Sequence, residues 1–202
     1  MAPAQSVDKS KPMGRACLGI VNTANGDEEV LSAASTAGKN RKIVAHLDAT
    51  AACEALVSPF LKSGPLVPGW LPQYVVLSPE KETPLPRAPM SWSWEQNNGP
   101  LEIFVLFFPS GSKEGSEIRQ LVSSMGKARS ARLLGMQAGK LRELIGKVPF
   151  DKEAALPAPK ASSEVAGVMR MVVGFEWRDS ARAVNFSSEK PGALIFPAPD
   201  TR

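Results

Sequence analysis

The chain has 202 residues, of which 43% are apolar and 22% charged, with a net charge of +4, two cysteines and one histidine. That is enough apolar material for one sizeable core, yet no apolar run is long enough to cross a bilayer as a helix. Two isolated cysteines exclude a disulfide framework and a C-x-x-C metal site, so the sequence predicts a soluble protein with no metal and no cofactor.

Residues 1–12 are polar and include Asp8, Lys9 and Lys11. They have neither the apolar block of a secretory signal nor the character of a transit peptide, and read as a flexible tail on an intracellular, cytoplasmic protein. Residues 16–23 and 27–33 flank Asn25-Gly26, a pair that tolerates positive φ and predicts a tight hairpin. The acidic run Asp27-Glu28-Glu29 beside it reads as a solvated hairpin end. Residues 41–48 alternate and predict a strand carrying His46 and Asp48 on one face. No serine or cysteine is placed beside them by a recognisable motif, so His46 reads as a core or edge residue rather than an acid–base catalyst.

In residues 49–62, Cys53, Leu56, Val57 and Phe60 recur at helical spacing, which predicts a helix ended or kinked by Pro59. A Pro/Gly connection over 64–72 leads to a short strand at 73–78 and a proline-rich loop or edge at 79–89. Met90, Trp92 and Trp94 then alternate with Ser91, Ser93 and Glu95, as in a sheet buried on one face. Asn97-Asn98-Gly99 predicts a turn joining this strand to its neighbour at 101–108. That neighbour is apolar on both faces apart from Glu102, as a strand covered on both sides should be.

The loop 110–116 leaves this strand and enters a helix without the G-x-x-x-x-G-K-[ST] order of a nucleotide-hydrolysing loop, and reads as a connector. Residues 116–148 hold most of the charge imbalance, with seven cations against Glu117 and Glu143, a local balance of +5. Two helical stripes lie here on opposed faces: Ile118, Leu121, Val122 and Met125, then Ala131, Leu134, Ala138, Leu141, Leu144, Ile145 and Val148. One straight helix cannot bury both. The pattern predicts a short helix capped by Ser116, a break near Gly126 and Lys127, and a basic amphipathic helix over about 128–148. Opposite its apolar face stand Arg129, Arg132, Lys140 and Lys147, with Met136 among them and Gly135 and Gly139 around it.

Residues 150–164 read as an exposed Pro/Ala/Ser-rich loop. A long strand follows, with Val165, Met169, Met171, Val173, Phe175 and Trp177 facing inward, and a short strand over 192–197 precedes a tail at 198–202. About eight strands without βαβ alternation predict an α+β fold: a single domain over 13–197, mainly antiparallel, with a jelly-roll-like arrangement as the second version.

The functional expectation is a non-enzymatic binding or assembly protein whose basic helix meets an anionic partner. Arg129, Arg132, Lys140 and Lys147 are the candidate nucleic-acid-binding residues, because guanidinium forks and ammonium charges suit phosphates. RNA or DNA is the leading partner, an anionic membrane surface or an acidic protein comes next, and self-association into a homo-oligomer is compatible. One alternative is a viral-type structural protein, capsid- or matrix-like, although the first fifteen residues hold only three cations. The other is an enzyme without a recognisable motif; no catalytic residue is assigned.

Overall fold

The computed structural model describes residues 10–32, 35–94, 100–148, 177–187 and 190–198. The chain builds an α+β domain of two antiparallel sheets with two helices on the outer face of one of them. The first sheet contains β1 (Met13–Asn22), β2 (Glu28–Val30), β3 (Arg41–Ala49) and β6 (Thr83–Leu85) in the order β2-β1-β3-β6. Also in it, β7 (Trp92–Ser93) pairs with β3 and β9 (Arg182–Asn185) with β1. The second sheet has the order β10-β8-β4-β5, with β4 (Cys53–Leu61), β5 (Gln73–Leu77), β8 (Leu101–Pro109) and β10 (Gly192–Ala198). Because β1, β2 and β3 are neighbours in near-sequential order, the two-Greek-key connectivity of a jelly roll does not describe the first sheet.

The β1–β2 hairpin forms at the anticipated turn, where Gly26 takes φ +79° and donates its N–H to the Asn22 carbonyl at 2.8 Å. Between the sheets, Leu18, Ile20, Ile43 and Leu47 meet Val57, Leu77, Ile103, Val105 and Leu194 in one buried cluster. Phe107 lies against Gly14, where any Cβ would enter its ring. On its other face the second sheet presents Leu56, Phe60, Leu106 and Phe108 to Ile118, Met125, Ala138, Leu141 and Ile145 of the helices. The layers are therefore sheet, sheet and helix pair, and β4 and β8 are covered on both sides.

That double cover explains the largest departure from the sequence reading. Residues 53–61 are a strand, not a helix: a strand buried on both faces needs apolar residues at every position, and such a run contains helical spacings by chance. Pro59 fits because of its parity. Leu61 donates its N–H to Pro65, away from β8, so the nitrogens of Pro59 and Leu61 share that side, where β5 has already ended opposite Val57.

Other expectations shift as well. Trp92 and Trp94 are fully buried, but Met90 is 39% exposed. β7 and β8 do not pair; they lie in different sheets, with the 97–99 turn outside the described residues. The loop 150–164 and residues 165–176 of the expected long strand also lie outside them. Trp177 is buried, in a short 3-10 turn over Trp177–Ser180 rather than a strand.

Candidate anion-binding surface and the His46 cluster

The basic segment folds as two helices, α1 (Lys113–Met125) and α2 (Ala131–Gly146), and both apolar stripes reach the same sheet because the chain turns between them. The cap of α1 is Ser112, not Ser116: its hydroxyl accepts the Gly115 N–H at 3.0 Å, one turn earlier than the apolar spacing suggests. Ser130 caps α2 by accepting from Leu133 at 3.2 Å. Arg129 therefore stands just before α2 rather than on it, while Lys147 occupies the C-cap, where the helix dipole favours a cation.

Arg129, Arg132, Lys140 and Lys147 are all exposed, opposite the buried Ala138, Leu141 and Ile145. Ala131, expected on the buried face, is also exposed at the helix start. Leu133 and Met136 lie open at 43% and 66%. A Cβ added at Gly135 or Gly139 would meet nothing within 4 Å, so no part of the described chain packs over this surface. Lys140 faces Glu117 at 3.9 Å and Lys147 faces Glu143 at 3.0 Å; these exposed pairs contribute little and leave the ammonium groups open to solvent. The Lys147 hydrogen bond and charge hold the Glu143 carboxyl below its usual range. Arg129 and Arg132 form no ion pair among the described residues.

Two cations of the segment point the other way. Arg142 donates to the carbonyls of Leu61 and Gly64 at 3.1 Å each and to Glu102 at 3.2 Å, with its guanidinium over the Phe60 ring at 5.2 Å. Arg119 donates to buried Glu54 at 3.0 Å, which also accepts from the Tyr74 hydroxyl at 2.9 Å. Burial, with Glu54 beside it, raises the Tyr74 pKa. These two residues dock helices to the sheet.

The outer face of the first sheet carries a second constellation that spacing alone could not assemble. His46 is 7% exposed; its Nε2 meets Glu28 at 2.5 Å, its Nδ1 meets Glu82 at 2.8 Å, and its ring stacks on Trp177 at 5.8 Å. Asp48, on the same face as anticipated, is fully buried and held by Arg15 at 2.6 Å. Glu28 is thus not part of a solvated hairpin end; it bends over Gly19 to reach the imidazole. Directly opposite His46 in the β1–β3 ladder stands Cys17.

A thiol beside an imidazole invites comparison with a nucleophile and its base, but the chemistry runs against it. Burial and the Glu28 charge push the Cys17 thiol up to about 12, which keeps it protonated. Burial opposes protonation of His46, yet the hydrogen bonds and charges of Glu28 and Glu82 prevail and raise its pKa, so both ring nitrogens are engaged by carboxylates and neither is turned to the thiol as a base. Cys53 is likewise buried, and its thiol is also pushed up to about 12 by burial. Among the described residues no three His, Cys, Asp or Glu side chains form a metal-binding group, and no helix is long and apolar enough to cross a membrane. No protein-family model matches the chain, and no curated protein or solved structure is significantly similar to it.

Proposed function

We propose that the protein is a binding or assembly protein that uses the outer surface of α2 to engage an anionic partner, with nucleic acid as the leading candidate. One observation carries the reading: Arg129, Arg132, Lys140 and Lys147 are exposed along the outermost layer of the fold, while Arg119 and Arg142 of that layer reach the sheet instead. A surface-layer helix with cations at both ends offers phosphates several simultaneous contacts without disturbing the core. Leu133 and Met136 between them supply apolar area for a base or sugar face.

The test is a salt titration of RNA affinity for the wild-type chain and for a variant with all four residues changed to Gln. Folding should be unchanged, because none of the four touches the sheet. Affinity should fall steeply, and each phosphate that the variant no longer neutralises should flatten log K against log salt by about 0.7 to 0.9. Equal binding and equal slope in both proteins would refute the reading. Retention on anionic vesicles but not on RNA would move it to a membrane surface.

A further inference from the structure

A groove of about 350 Å³ runs along β5, with Tyr74 and Val76 on one side, Arg119 and Val122 of α1 on the other, and Met90 at its rim. Among the described residues, β5 is the last strand of its sheet. The parity established by Leu61 makes the N–H groups of Cys53, Ala55 and Val57 point toward β5, so Gln73, Val75 and Leu77 pair back with them. The N–H and C=O groups of Tyr74 and Val76 therefore face the open side, where no described residue pairs with them.

Proteins usually blunt such an edge. The opposite edge of this sheet is blunted: Pro197 of β10 has no N–H to offer, and the Ile195 carbonyl is capped by Arg182 at 2.6 Å. The short β6 carries Pro84. β5 has neither device, and it exposes Val76 at 63% with Met90 beside it.

We propose that β5 captures an extended peptide of a partner protein as an added strand. In this mode backbone bonds to Tyr74 and Val76 give affinity, and side chains that fall into the groove give selectivity. The apolar residues Val76, Val122 and Met90 accept an aliphatic side chain. Arg119 sets the charge of the ligand: Glu54 holds its Nη1 at 3.0 Å while the side chain stays 54% exposed, which leaves guanidinium donors facing the groove. The peptide carries a carboxylate there. A second copy of this chain is the poorer occupant, because the two-fold axis that pairs two β5 edges antiparallel, perpendicular to the sheet, would bring both Arg119 side chains to one seam.

The probe is a fluorescein-labelled heptapeptide of alternating Thr and Val that ends in Asp with a free carboxylate, titrated into the full chain. Hydrogen exchange at the Tyr74 and Val76 amides is followed by NMR. Binding should slow exchange at both amides. Methylating alternate peptide nitrogens should weaken it by at least about tenfold, and so should Val76→Lys, an exposed change that leaves the core intact. Replacing Asp by Asn and amidating the terminus should weaken binding to the wild type but not to Arg119→Gln. No binding up to about 1 mM, binding indifferent to N-methylation, or binding without protection of the two amides would each overturn the proposal. Because Arg129, Arg132, Lys140 and Lys147 are untouched in every variant, its failure is separate from failure of the α2 surface.

Discussion

The Glu28 carboxylate crosses the α-carbon of Gly19 to meet His46 Nε2 at 2.5 Å, in space that any side chain at position 19 would occupy. Gly19→Ala should leave β1 in place, since the obstructed group is the end of a flexible side chain, and should swing Glu28 away. His46 would then keep the cost of burial with one carboxylate fewer, and its pKa should fall. As the only histidine, it gives a single imidazole signal in an NMR titration of wild type and variant. An unchanged midpoint would refute the arrangement.

The same cluster sets a pH dependence. The folded-state pKa of His46 is raised, so the stabilisation is fully present below about 6.5, the unfolded value, and is lost as pH rises through the folded pKa. Urea unfolding should therefore show stability declining above about pH 6.5. His46→Gln should lower stability at acid pH and remove that decline.

Arg142 and Arg132 are neighbours in the sequence pattern with different work. Arg142→Ala should cost about 2 to 4 kcal/mol, because it strips two carbonyls and Glu102 of a charged partner at a half-buried site. Arg132→Ala should stay within about 0.5 kcal/mol. Equal effects in chemical denaturation would contradict the docking role.

Trp92 is fully buried and stacks on Trp70 at 5.9 Å, yet its Nε1 has no hydrogen-bond partner among the described residues. Trp92→Ala should cost about 3 to 5 kcal/mol through the cavity it leaves. Trp92→Phe should cost far less, about 1 kcal/mol, because the smaller ring also removes an unsatisfied donor. A difference below about 1 kcal/mol between the two variants would show that the site collapses around the loss.

What the sequence makes legible follows from the range of the interactions involved. The β1–β2 hairpin, the alternation around Trp92 and Trp94, the two-faced β8 and the break between α1 and α2 are written in residues close to one another. β4 reads as a helix because apolar residues on both faces of a covered strand imitate one, even though Pro59 limits that helix. The pairing of β7 with β3 rather than β8, and the meeting of Cys17, Glu28 and Glu82 at His46, depend on strand register, which no spacing within a segment encodes. Exposure of the four basic residues is readable, since the stripe opposite them has to be buried.

The two-sided cover of β8 has a consequence for synthesis of the chain. Leu101–Pro109 is almost wholly apolar, and one face is closed, among the described residues, by helices that end at Gly146, 37 residues later. At ribosomal speed that interval is roughly 2 to 7 s. Throughout it, a strand of strong self-pairing tendency has one bare side, so the nascent protein passes through a window in which chaperone access, or its lack, decides between folding and aggregation.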